Sequence, residues 1–152
     1  MRRIIRHLAF PLWLIKRGAT LGVRAIIVDS EGRVLLVRHT YVPGWYLPGG
    51  GVEVGETMQQ ALEKELRQEV SVRLDGVAEL VGIYLNIKLS RRDHVGLYIC
   101  RYWYQSEPPG PNIEIAESGF FALDDLPEAT TPGTRARLAE VLQGGKPSAY
   151  WS

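Results

Sequence analysis

Apolar and β-branched residues fill positions 21–29, Leu-Gly-Val-Arg-Ala-Ile-Ile-Val-Asp, and return at 34–38, Val-Leu-Leu-Val-Arg, with Ser30-Glu31-Gly32 between them. Two strand-like runs separated by a short polar turn predict a β-hairpin. From His39 to Gly51 the period is lost, and Pro43-Gly44, Pro48 and Gly49-Gly50-Gly51 exclude a helix, so this stretch reads as an ordered loop or short strands. Helical spacing begins at Met58: Ala61, Leu62, Leu66 and Val70 recur on one face, and Thr57 supplies an N-cap, which predicts a helix over 58–70. Residues 77–89 and 94–105 are rich in Val, Ile, Leu, Tyr and Trp and flank the polar turn Ser90-Arg91-Arg92-Asp93; they predict two long antiparallel strands. Glu107-Pro108-Pro109-Gly110-Pro111 cannot continue a strand. Beyond it come one short strand at 119–123 and a helix from Thr134 to Leu142, ended by Gly144-Gly145.

The bulk numbers change this picture little. A chain of 152 residues that is 45% hydrophobic and 23% charged fits one ordinary globular domain. Residues 20–143 show no repeat and no compositional break; residues 1–19 read as a basic, apolar helical arm and 144–152 as a tail. Cys100 is the only cysteine and sits in an apolar run, so it reads as a core residue, and a reducing, cytoplasmic setting is expected.

Charge is more informative. Arg2, Arg3, Arg6, Lys16 and Arg17 give the arm +5, leaving 13 basic against 17 acidic side chains in the rest, which argues against a general nucleic-acid surface. Leu8–Ile15 supplies an apolar stretch far short of the roughly 20 residues that span a bilayer, and no small-x-small cleavage site follows it. Neither export nor a transmembrane helix is expected. An amphipathic helix interrupted at Pro11 fits this segment. Its apolar face has two readings: packing on the domain or on a partner subunit in a homodimer, or peripheral contact with an anionic membrane.

The candidate chemistry lies in Gly50-Gly51-Val52-Glu53-Val54-Gly55-Glu56-Thr57 and the helix that follows, with Lys64-Glu65-Leu66-Arg67-Gln68-Glu69. Glu65 and Glu69 are four residues apart and share a helical face, where like charges repel unless something neutralises them. Two such residues also fit a plain solvated face. A divalent cation such as Mg²⁺ prefers carboxylate oxygen and binds substrate phosphates as well, and Glu56 lies close enough in sequence to add a further carboxylate. The glycines permit close backbone approach to a ligand or to a packed helix.

The whole pattern, Gly50, five residues, Glu56, seven residues, Lys64-Glu65-Leu66, one residue, Gln68-Glu69, one residue, Ser71-Val72, resembles the Nudix box of the MutT-like hydrolases. That motif runs Gly, five, Glu, seven, Arg-Glu-aliphatic, one, Glu-Glu, one, Gly-aliphatic. The resemblance implies an α/β fold, an α/β/α sandwich with a mixed β-sheet between helices. It implies a magnesium-dependent pyrophosphatase, with Mn²⁺ as a substitute, that hydrolyses a small nucleotide substrate. The implied metal ligands are Glu65 and Glu69, with Gln68 a weakened one, Glu56 a supporting carboxylate and Lys64 the cation that orients Glu65.

Three positions depart from the motif. Lys64 keeps the charge of Arg but loses its planar fork. Gln68 removes one negative charge and so weakens metal binding. Ser71 replaces Gly at the helix exit. The first two departures leave open a second reading, a nucleotide-binding module of the same fold with little or no turnover.

Similar enzymes take a carboxylate from outside the box, and Glu114 or Glu117 is placed for that, as a general base or an extra ligand; Glu114 is preferred. Phosphate-binding candidates are Arg38 and His39 at a strand end, Arg91 and Arg92 in a turn, and the backbone of Gly50 and Gly51. Tyr41, Trp45 and Tyr46 either stack on a base or pack. His94 reads as a hydrogen-bonded structural residue. The expected substrate is a nucleoside diphosphate linked to a further group, ADP-ribose-like compounds ahead of nucleoside triphosphates.

Overall fold

In the computed structural model, which describes residues 14–152, strand β1 (Thr20–Ile27) and strand β2 (Val34–His39) form where the apolar runs predict them. The first 13 residues, and with them most of the basic arm, lie outside the described residues. The two strands do not make the expected hairpin. Asp29 Oδ1 accepts from the backbone N–H of Glu31 (3.0 Å) and Arg33 (2.9 Å), and Gly32 turns at φ 77°. This tight turn leaves a single bridge, Val28 to Val34, and passes the chain from one sheet to another.

In the first sheet, of order β1-β6-β5, β6 (Asp93–Cys100) runs parallel to β1 and antiparallel to β5 (Glu79–Leu85). The second, of order β3-β2-β8, is antiparallel and contains β3 (Trp45–Tyr46) and β8 (Ile115–Phe121). The expected 94–105 strand is two strands. It breaks at Arg101-Tyr102, and β7 (Trp103–Gln105) turns away to pair with β4 (Val72–Leu74), a short strand that its brevity hid in the sequence. Tyr102 holds that break by accepting the Asp75 N–H at 2.9 Å.

Helix α1 (Met58–Val70) has the expected bounds because its ends are specified chemically. Thr57 accepts the Gln60 N–H while the Gln60 side chain accepts the Thr57 N–H, a reciprocal capping box. Ser71 closes the other end in a left-handed conformation, φ 54°. Helix α2 (Pro132–Leu142) starts two residues earlier than the apolar spacing suggested, since Thr131 is its N-cap and Pro132 suits the first turn.

The strands alternate between two apolar layers. Val23, Ala25, Ile27, Leu35 and Val37 pack with Ala61, Leu62, Leu66 and Val70 of α1, whereas Ile26, Val34, Leu36, Leu97 and Ile99 pack with Leu138 of α2. Mixed β-structure lies between helices, the α/β/α arrangement the resemblance implied. Leu62 and Leu66 are fully buried, and each contributes about 1.5–3 kcal/mol by leaving water. Cys100 is a free thiol in the core, its pKa pushed up to about 12 by burial. Among the described residues no helix is long and apolar enough to cross a membrane.

Two further pairings position the functional region. The glycine loop lies along the other edge of β1: Val23 N–H donates to Gly50 O (2.9 Å), Ala25 N–H to Pro48 O (2.9 Å) and Val52 N–H to Leu21 O (2.8 Å). Gly49 is held there at φ 140°, and a Cβ on it would overlap the Val23 carbonyl. At the opposite edge of the sheet the tail adds to β5, with Leu85 N–H donating to Ala149 O at 2.9 Å and Trp151 N–H to Leu85 O at 3.0 Å.

Candidate active site

Because α1 packs under the sheet beside the glycine loop, its polar edge faces a cavity of ≈ 910 Å³ whose lining includes Glu65, Glu69, Gly49, Gly50 and Gly51. Glu69 is 4% exposed, and its Oε2 accepts the Gly49 N–H at 2.8 Å. Burial pushes its pKa up to about 7, against the opposing pull of that N–H and of Arg24; Glu65 and Glu114 add to the rise. Glu65 is also raised, again by burial first, with Lys64 and Arg24 opposing. The Glu65 carboxylate lies flat against the loop, so that a Cβ at position 50 would stand 2.5 Å from its Cδ and Oε2. Gly50 is therefore a cradle for Glu65.

Lys64 donates to both oxygens of Glu56, at 2.9 and 3.0 Å, and its Nζ is 3.7 Å from Glu65 Oε1. It thus touches the carboxylate it was expected to orient, while Glu56 is held by Lys64 and is absent from the cavity wall. Gln68 is exposed on α1, also off that wall.

Glu114 lines the cavity, held at the start of β8 by Asn112, whose Oδ1 accepts the N–H of Glu114 (2.9 Å) and Ile115 (2.8 Å). Glu117 instead pairs with Arg38 at 2.9 Å on the exposed face of the second sheet, and neither reaches the cavity. Arg92 is likewise engaged elsewhere: its guanidinium donates to the carbonyls of Ile15 (3.1 Å) and Gly18 (3.4 Å), fastening the entry of the chain. Arg91 is exposed in its turn and His94 lies in β6 between Leu21 and Leu85. Trp45 is core, edge-on to Phe121 at 4.9 Å, whereas Tyr41 and Tyr46 reach the cavity and flank the His39 ring at 5.2 and 5.5 Å. His39 is buried, and its pKa is lowered first by burial and then by Arg24, so the ring is neutral at pH 7. Among the described residues its Nδ1 finds no hydrogen-bond partner, and it stands 3.9 Å from Glu69 Oε1.

Sequence reasoning passed over Arg24, Asn86 and Trp151, all of which line the cavity. Arg24 donates to the carbonyls of Leu47 (3.1 Å) and Gly49, which fixes the start of the glycine loop. A lone charge inside the run Gly-Val-Arg-Ala-Ile was the available signal.

Among the described residues no three His, Cys, Asp or Glu side chains cluster tightly enough to hold a metal alone. The donors present do suit a hard cation that completes its shell with water and phosphate oxygen. The carboxylates of half-buried Glu65 and buried Glu69 are both pushed toward protonation, a bias a divalent cation would reverse.

The fold is thus an α/β/α sandwich in which a glycine loop and a carboxylate-bearing helix border one cavity of ≈ 910 Å³. The NUDIX domain model matches residues 18–142, and the chain belongs to the Nudix family. Members are pyrophosphohydrolases acting on small nucleotide substrates and generally use divalent metals. A MutT-like protein of Streptomyces ambofaciens is 27% identical over 132 residues, 84% of this chain and 80% of its own length. The crystal structure of a MutT Nudix hydrolase from Burkholderia pseudomallei is 29% identical with a TM-score of 0.70, covering 81% of this chain and 98% of that one. An ADP-ribose pyrophosphatase structure from Streptococcus suis is also 29% identical, with a TM-score of 0.62 over 88% of this chain and 96% of that one. Other curated relatives are matched over only part of their length, 43%, 40% and 50% for three of them.

Proposed function

We propose that this protein hydrolyses the diphosphate bridge of a nucleoside diphosphate linked to a further group, with ADP-ribose-like compounds as the preferred class. The observation that carries the reading is the pair of buried Glu69 and half-buried Glu65, side by side on one face of α1 against the glycine loop and opening on a cavity large enough for a whole nucleotide. The name of the Streptococcus suis relative supports the choice of ADP-ribose among diphosphate compounds. The lone, buried Cys100 suits a reducing, cytoplasmic setting.

Glu65 and Glu69 would hold Mg²⁺, or Mn²⁺ in its place, which when bound neutralises diphosphate oxygens and lowers the pKa of a coordinated water. Gly49 fixes Glu69 through its N–H, Gly50 leaves room for Glu65, and Lys64 keeps Glu65 oriented from 3.7 Å. Glu114 is the general base: its carboxylate takes a proton from the attacking water as a new P–O bond forms and the bridging P–O bond breaks. Neutral His39 and the two tyrosines beside it screen the Glu69 end from bulk water. Gln68, Glu56, Arg38 and Arg92 take no part in this scheme, since each lies off the cavity wall. Hydrolysis of ADP-ribose in ¹⁸O-labelled water tests the scheme: label should enter AMP or ribose 5-phosphate at phosphorus, and label at a sugar carbon oxygen would refute it.

A further inference from the structure

A cavity of ≈ 910 Å³ is several times larger than a diphosphate needs, and its far wall has a chemistry unlike the carboxylate end. The hydrogen-bonded ladder from the glycine loop through β1, β6 and β5 to Ala149–Trp151 crosses four strand spacings, roughly 19 Å. At that far edge the Trp151 indole lies on the first turn of α2, where a Cβ on Gly133 would meet its Nε1. The Tyr84 ring supports it edge-on at 5.9 Å.

Asn86, on the same wall, is fixed in one orientation. Its Nδ2 donates to Asp93 Oδ2 at 2.9 Å, and Asp93, 7% exposed, takes the Thr20 hydroxyl on its other oxygen at 2.7 Å. That leaves the Asn86 amide oxygen and its second N–H to offer an acceptor and a donor side by side. A flat apolar ring beside an oriented amide matches the two surfaces of a heteroaromatic base, its π-face and its hydrogen-bonding edge.

We propose that Trp151, seated on Gly133 by the added strand Ala149–Trp151, and the amide of Asn86 form the subsite for the nucleobase half of the substrate. This rests on the reading of the cavity as a nucleoside-diphosphate site. The added strand makes Trp151 a fixed wall, so base recognition is built into the folded domain and is independent of metal.

The test is metal-free binding of AMP and of ribose 5-phosphate, followed by titration calorimetry, to the native chain and to Trp151→Ala, Trp151→Phe, Gly133→Ala and Asn86→Ala, each checked by thermal melting. AMP affinity is expected to fall about five- to hundredfold in Trp151→Ala, the range of lost base–aromatic stacking, and to recover in Trp151→Phe. Gly133→Ala displaces the indole and should reproduce the loss without altering the ring itself. Asn86→Ala should weaken AMP also, and ribose 5-phosphate should bind all five proteins alike. Equal weakening of both ligands, or no weakening of AMP, would overturn the proposal. Turnover by the native chain separates it from the hydrolase reading: AMP binding that falls in Trp151→Ala, in a native chain without any turnover, would sink the hydrolase and leave the base subsite standing.

Discussion

Adjacent glycines in the loop should respond to the same substitution in opposite ways. At Gly50, which has no positive φ, a new methyl would stand 2.5 Å from the Glu65 carboxyl carbon, and the far end of a side chain can swing aside. The carboxylate must move by about 1 Å to reach ordinary contact. Folding stability should then change by less than about 1 kcal/mol, whereas a misplacement of that size costs on the order of a hundredfold in rate. At Gly49 the methyl would overlap the Val23 carbonyl at φ 140°, and neither the backbone nor β1 can yield. Backbone strain and overpacking together cost about 4 kcal/mol, a melting-point drop of roughly 8–16 °C for a domain of this size. Thermal melts and ADP-ribose turnover with Mg²⁺ for Gly49→Ala and Gly50→Ala measure both quantities. A Gly50→Ala protein with native turnover would refute the placement of Glu65 at the reacting centre.

Other consequences are open to measurement. Ser71→Gly should stabilise the domain by about 0.5–1 kcal/mol, because Ser71 holds a left-handed φ of 54° that glycine adopts without a Cβ penalty; a lower melting temperature would contradict this. The raised pKa of Glu69 means that the metal-free fold binds its proton more tightly than the unfolded chain does. Its stability should therefore fall as pH rises from about 4.5 to 7 and then level off, by about 3 kcal/mol in all, and Glu69→Gln should flatten that slope in urea melts. Added Mg²⁺ at pH 8 should raise the melting temperature of the native chain and leave that of Glu69→Gln unmoved. Cys100 should resist thiol reagents at pH 8 until the protein unfolds, and rapid labelling of native protein would show the core to be open there.

Much of this architecture was legible in the chain because it is specified locally. The Thr57 and Gln60 capping box and the 3.6-residue spacing fixed α1 to the residue, and with it the shared face of Glu65 and Glu69. Strand pairing was less accessible. Whether β1 and β2 pair depends on the Asp29 turn and on the parallel partner β6, 73 residues away in register, and no local period reports either. The same holds for the site. Its carboxylates sit on one helix and share a motif, whereas Arg24, Asn86 and Trp151 come together only through the register of the sheet. Arg38 and Arg92 were attractive as phosphate ligands for their charge alone, and their charge is used by Glu117 and by two backbone carbonyls.

The central claim is that Glu65 and Glu69 serve metal-dependent cleavage of a diphosphate. Mononucleotide release from a panel of nucleoside-diphosphate compounds, with Mg²⁺, with Mn²⁺ and with chelator, tests it most directly when the native chain is run beside Glu69→Gln. Release of AMP from ADP-ribose that needs the metal and vanishes in Glu69→Gln is the expected result. Equal release by the two proteins, or release that survives chelation, would contradict the claim.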